Sequence, residues 1–111
     1  MGVAKIFRRT EEPTVDRETV KTWQVMDTDE VPHISMAIMF KKQVPDGYMS
    51  ENKEIDISYM VISDEGEINL DGGLQKLKRG DVIYLPRNTK YAFSEGIEVV
   101  AASTPRFGSQ K

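Results

Sequence analysis

The chain contains no cysteine, one histidine and one tryptophan among its 111 residues. Without cysteine there are no disulfides, no thiolate nucleophile and no thiolate metal site. The single histidine, His33, excludes a two-histidine metal site within one chain and makes a serine–histidine relay hard to build. No apolar run approaches the roughly 20 residues needed to span a bilayer. The polar amino terminus MGVAKIFRRTEEP lacks the apolar core of a signal peptide, so a cytoplasmic protein without a membrane partner is expected. Positive charge is not in excess either. Fifteen Lys and Arg against eighteen Asp and Glu give a net charge of −3, a field that does not favour phosphate backbones and argues against nucleic acid as a partner.

What is present suits one all-β domain covering residues 1–111. Chains of this size bury roughly two-thirds of their surface, enough for one core without staples. Turn residues recur at Glu12-Pro13, Val31-Pro32, Pro45-Asp46-Gly47, Asp64-Glu65-Gly66, Asp71-Gly72-Gly73, Arg79-Gly80, Pro86-Arg87-Asn88 and Glu95-Gly96. The segments between them are short, and those at 35–40, 57–62, 67–70, 81–85 and 97–101 are too short for stable helices and rich in β-branched or aromatic residues. Five or six strands of a sandwich or barrel are expected. Asp71-Gly72 is a two-residue hairpin signal, with Gly73 able to add a bulge and Leu70, Leu74 and Leu77 expected on one face. Residues 16–23 have acidic residues early and Lys21 late, as a helix would, but Thr19, Val20 and Thr22 favour loop and strand. Residues 1–34 are expected to form an arm and edge strand, 35–107 the barrel, and 108–111 a flexible tail.

The segment Gly80-Asp81-Val82-Ile83-Tyr84-Leu85-Pro86-Arg87-Asn88-Thr89-Lys90-Tyr91-Ala92-Phe93-Ser94-Glu95 resembles the second cupin motif, G-x5-P-x-G-x2-H-x3-N. Gly80 and Pro86 match. Asn88 stands where the family has glycine, Tyr91 where it has the metal-binding histidine, and Glu95 where it has asparagine. Asn is the non-glycine residue most at ease in the left-handed conformation, so the exchange at 88 is physically sensible. Residues 59–72 look like the strand-turn-strand of the first motif, G-x5-H-x-H-x3,4-E-x6-G, and 102–107 resemble the closing strand of small cupins. The resemblance spans roughly residues 35–107 and implies a double-stranded β-helix, or jelly-roll barrel, of the RmlC-like kind. Two registers of the first motif are possible. One puts Ile57 at the Glu position and Glu51 and Lys53 near the two His; the other puts Gly47, Lys53, Ile55 and Tyr59 at the Gly, His, His and Glu positions. Strand alternation would send 51, 53, 55, 57 and 59 to one inward face in either case.

Metal-binding cupins hold their ion with three histidines and a carboxylate. At the corresponding positions this chain offers an amine, apolar groups and phenols, so the resemblance implies a pocket with no metal and no cofactor. The candidate ligand-binding residues are Tyr91, Tyr59, Lys53, Ile57, Met36 and Arg87. Tyr91 and Tyr59 either hydrogen-bond a ligand or plug the space a metal would fill. Lys53 is either a pocket cation or part of a solvated loop, and Arg87 an anion clamp or a rim charge. Met36 belongs to a soft methionine lining with Met39, Met49 and Met60. His33 lies outside the motif positions, where an acid–base role competes with a structural one. Trp23 suits a core or subunit interface, or stacking on a sugar.

Three functions are compatible with these residues. The first is binding of a small polar molecule, a sugar or an organic acid, in a metal-free barrel. The second is a metal-independent isomerase, epimerase or lyase acting on a small carbohydrate or acid; a short resemblance to the ethanolamine-utilisation cupins, through Glu54-Ile55-Asp56 and residues 80–86, belongs with the cupin readings generally. The third is a structural or regulatory homodimer, formed through an exchanged amino-terminal strand or packed sheets, which would also protect an edge.

Overall fold

The computed structural model describes residues 4–70 and 73–107, and its regular elements are all strands. Ten are found among the described residues: β1 (Val15–Asp16), β2 (Val20–Met26), β3 (Ser35–Lys41), β4 (Ser50–Glu51), β5 (Asp56–Val61), β6 (Glu65–Leu70), β7 (Gly73–Lys78), β8 (Val82–Leu85), β9 (Lys90–Phe93) and β10 (Glu98–Thr104). They form two antiparallel sheets, β1-β2-β3-β10-β5-β8 and β4-β9-β6-β7, which is the all-β jelly roll. The five expected segments all became strands. The additional ones come from the amino-terminal region, from the two-residue β4, and from residues 73–78 and 90–93 beside the turns.

Residues 16–23 are loop and strand, as Thr19, Val20 and Thr22 require: β2 pairs with β3 from Val20↔Lys41 to Met26↔Met36. The register shift lies here, between Gln24 and Met26, and not at Gly73, where β6 and β7 pair without interruption. The hairpin turn Asp71-Gly72 and the tail 108–111 lie outside the described residues. Leu74 does not join Leu70 and Leu77. It lies three positions from Leu77, an odd step, so the pleat turns the two side chains to opposite faces; Leu77 packs on the core while Leu74 is exposed.

The core lies between the sheets. Ala37, Ile57, Tyr59, Val61, Leu85, Val99 and Ala101 come from the larger sheet, Ile68, Tyr91 and Phe93 from the smaller, and Ile97 from the turn before β10. Strand β10 shows the alternation clearly, with Val99, Ala101 and Ser103 buried and Glu98 and Thr104 exposed. Gly66 is required by packing: a Cβ there would sit 2.4 Å from Ile97 Cδ1 and 2.8 Å from its Cγ1. Asn88 has φ of 69°, the left-handed conformation its place in the motif predicts, and Gly80 has φ of 92°.

The arm before β1 folds onto the outer face of the larger sheet. Phe7 enters a groove formed with Val25, Met26, Met36, Ile38 and Val100. The Arg9 guanidinium lies 5.1 Å from the Trp23 ring centroid, and Trp23 Nε1 donates to the Glu11 carbonyl at 3.3 Å. The cross-strand row Trp23–Ile38–Val100 under the arm continues beyond it through Met60 and Val82, both exposed.

Candidate functional site

Strand β3 carries Ser35, Ala37, Met39 and Lys41 at alternate positions, so all four belong to the inward face. The first two are buried, Met39 packs against the core, and the last position holds a lysine. Its backbone is fixed by hydrogen bonds from Lys41 N–H to the Ile97 carbonyl (3.0 Å) and from Gly96 N–H to the Lys41 carbonyl (2.8 Å). The side chain is half-buried, and its Nζ lies 5.2 Å from the centroids of both Tyr59 and Phe93 and 3.7 Å from Met39 Sδ. None of the ion pairs among the described residues includes Lys41. Aromatic faces attract a cation, but they replace only part of its lost hydration. Burial pushes the Lys41 amine down to about 8 from the usual 10.5.

Two phenols meet deeper in the barrel, one from each sheet. Tyr59 on β5 sits between Ala101 and Ile83, and Tyr91 on β9 sits between Ser50 and Leu70. Their hydroxyl oxygens are 2.7 Å apart, and Asn52 Nδ2 donates to the Tyr91 oxygen at 3.3 Å. Phe93 packs edge-on against both rings, at 4.9 and 5.8 Å between centroids. Burial holds the Tyr59 phenol well above its usual range, reinforced by Tyr91; burial also raises Tyr91, opposed by its hydrogen bonds with Tyr59 and Asn52. Both phenols are therefore protonated at neutral pH. The pair has two hydroxyl protons and uses one between its members. For the second, no acceptor is found among the described residues, whichever phenol donates.

A cavity of about 70 Å³ opens beside this group, lined by Lys41, Tyr48, Ser50, Tyr91 and Phe93 among others. Ser50 Oγ donates to the Tyr48 hydroxyl at 3.3 Å. The site thus presents an amine, a spare phenol proton and two further hydroxyls against aromatic walls, a set suited to oxygen-rich ligands.

Of the sequence candidates, Tyr91, Tyr59 and Ile57 are brought together in the core. The other three are not. Lys53 is exposed, because the chain leaves the smaller sheet after Glu51 and enters the larger at Asp56; residues 52–55 are not in a strand, and the alternation assumed across 51–59 breaks. Met36 has the opposite parity to Ala37 on β3 and lies on the outer face, 40% exposed. Arg87 is a rim residue engaged by Asp56, whose Oδ1 accepts from its backbone N–H (2.8 Å) and its Nε (3.2 Å); that contact holds the Asp56 carboxyl below its usual range. His33 is exposed in the turn before β3. Lys41, Asn52 and Tyr48 were not anticipated. The signal for Lys41 was the alternation Ser35-x-Ala37-x-Met39-x-Lys41, hidden by ending the strand at Phe40.

The cupin fold raises the question of a metal, and these residues do not fit one. Among the described residues no group of three or more His, Cys, Asp or Glu side chains comes together. The inward donors are protonated phenols beside an amine that is cationic below about pH 8, a poor environment for a divalent ion. Among the described residues no helix is long and apolar enough to cross a membrane.

No family model matches the chain. An uncharacterized protein of Aquifex aeolicus is 31% identical over 98 residues, covering 86% of this chain and 78% of that protein. Among solved structures, the Streptomyces nucleoside dehydratase Pac13 superposes with a TM-score of 0.74 at 19% identity, over 96% of this chain and 88% of that one. An RmlC-like cupin from Shewanella frigidimarina gives 0.71 at 14% identity, over 97% of each chain. The EutQ protein of Clostridium difficile gives 0.65 at 22% identity, over 83% of this chain and 67% of that one. These matches agree with the Gly80–Glu95 motif and with the two facing sheets: the chain is a small cupin of the RmlC-like fold, in one sequence family with the Aquifex aeolicus protein.

Proposed function

We propose that the protein binds a small organic acid inside the barrel, without a metal. The carboxylate pairs with the Lys41 ammonium, and the spare proton of the Tyr59–Tyr91 pair donates to a ligand oxygen. The observation that carries this reading is an inward-facing lysine with no counter-charge among the described residues. A half-buried cation without a partner lowers stability, and an anionic ligand supplies the missing charge. A cavity of about 70 Å³ admits a carboxylate headgroup more readily than a sugar ring. Isothermal titration calorimetry with acetate, lactate and glucuronate, against glucose as the neutral control, tests this. The acids are expected to bind and to lose at least about tenfold in affinity in Lys41→Met. Binding of glucose alone, or acid binding indifferent to Lys41→Met, would overturn it.

A metal-independent lyase is the second reading, favoured by one observation. Pac13, similar in fold, is a nucleoside dehydratase whose tyrosine-to-phenylalanine variants have been solved with uridine. A protonated phenol pair next to an amine of pKa about 8 is equipped for acid–base elimination on a small hydroxy acid or sugar. Turnover of a bound hydroxy acid, abolished by Tyr91→Phe, would replace simple binding with this activity.

We also infer a homodimer formed through the outer face of the larger sheet. The apolar row Trp23–Ile38–Val100–Met60–Val82 crosses five strands at about 4.8 Å each. With Tyr84 (61% exposed) and the Phe7 arm beside it, this face suits a two-fold contact of roughly 800 Å² per partner.

A further inference from the structure

We propose that Lys41 condenses reversibly with small aldehydes and ketones to form an imine inside the barrel. The proposal rests on the reading that the cavity takes a small oxygenated ligand, and it adds a class of reactant: carbonyl compounds in place of, or alongside, simple carboxylates. Three features of the site point to it. The Lys41 amine lies against the faces of Tyr59 and Phe93, held by no carboxylate among the described residues. It lines a cavity of about 70 Å³, large enough for a carbonyl of a few heavy atoms. Tyr48, Ser50 and Tyr91 line the same cavity and carry hydroxyls able to exchange protons with the carbonyl oxygen. Desolvation supports this geometry by favouring the free amine, the form that attacks.

The condensation balances without an added oxidant or reductant. The Lys41 nitrogen lone pair forms a bond to the carbonyl carbon, and the C=O π electrons move to oxygen, which takes up a proton. Nitrogen loses a proton to give the neutral carbinolamine. Protonation of the carbinolamine hydroxyl and loss of water then let the nitrogen lone pair form the C=N bond of an iminium ion, which gives up its N–H proton to leave the neutral imine and restore the proton taken up. Amine and carbonyl become imine and water. A carboxylate bound to the ammonium form holds Lys41 protonated, so a simple acid should act as a competitor.

The test uses the intact wild-type protein, with acetaldehyde as a neutral carbonyl probe and cyanoborohydride to reduce any imine to a stable secondary amine, followed by peptide mapping. Lys41 is expected to be ethylated at least about tenfold faster than the exposed Lys53 at pH 7, and to lose that preference in urea. Acetate should slow labelling at Lys41 and leave Lys53 unchanged. In Lys41→Arg the Lys41 label vanishes while the others persist, but the mapping on the wild-type protein decides the question by itself. Labelling of Lys41 no faster than Lys53 would overturn the imine proposal while leaving calorimetric acetate binding intact. Fast labelling at Lys41 without acetate binding would uphold the imine and overturn the carboxylate reading.

Discussion

The hydroxyl oxygens of Tyr59 and Tyr91 lie 2.7 Å apart, one phenol reaching in from each sheet, and among the described residues only Tyr91 has a further donor, Asn52. The asymmetry makes the two tyrosines unequal. In Tyr59→Phe, Tyr91 keeps its contact with Asn52, and the loss should be about 1 kcal/mol. In Tyr91→Phe, the Tyr59 hydroxyl is left buried and unpaired and the part-buried Asn52 amide loses its acceptor, so the loss should reach about 2–3 kcal/mol. Urea denaturation of the two variants at pH 7 checks the order; equal losses would contradict this account of the pair.

Lys41 makes stability depend on pH in a definite direction. Its amine sits near 8 in the folded protein and at the ordinary 10.5 in the unfolded chain, so between those values the unfolded chain binds more protons and stability rises with pH. Below about 8 the deficit is complete, at most about 3 kcal/mol. Above about 10 the unfolded tyrosines ionise before the buried Tyr59 and Tyr91, and stability falls again. Lys41→Met should therefore be more stable than wild type at pH 7 and lack the rise between 8 and 10, as read from urea midpoints at stepped pH. A residue that weakens the fold where its replacement would strengthen it is consistent with retention for function.

The contrast between Tyr91 and Lys53 shows what could be read from the sequence. Gly80 and Pro86 fix the register of one motif on a continuous turn and strand, so the inward placement of Tyr91 and the left-handed Asn88 were both legible. Period-two alternation holds only while the chain stays in one strand. Between Glu51 and Asp56 it passes from one sheet to the other, and the parity carrying Lys53 inward is lost there, although Ile57 and Tyr59 keep theirs. Lys41 was hidden for another reason. A charged residue at a strand end is ordinarily the start of a loop, and only the pairing of Val20 with Lys41 shows that the strand, and its inward face, extend that far.

Gly66 admits no side chain. The Cβ of an alanine would meet Ile97, which is 1% exposed and β-branched, so neither end of the contact yields easily. Gly66→Ala should destabilise by about 1–3 kcal/mol. The double variant Gly66→Ala with Ile97→Val, which removes the closest methyl, should recover part of that in thermal denaturation. Additive losses would contradict the clash.

The apolar row on the outer face predicts an interface sensitive to single charges. Val82→Glu or Met60→Glu lies outside the core, at positions 62% and 46% exposed, so folding should survive while self-association fails. Light scattering should give a dimer for wild type and a monomer for either variant. A wild-type monomer, or a dimer untouched by both charges, would contradict the proposed face.

Lys41 turns into the barrel an amine that no carboxylate pairs with among the described residues. A pH titration of protein labelled with 13C at lysine Cε, followed by NMR, tests this, with the Lys41 resonance assigned by its absence from Lys41→Met. A midpoint near 8 that moves upward when acetate is added is the predicted result. A midpoint at the ordinary value of 10.5, unmoved by acetate, would contradict the account.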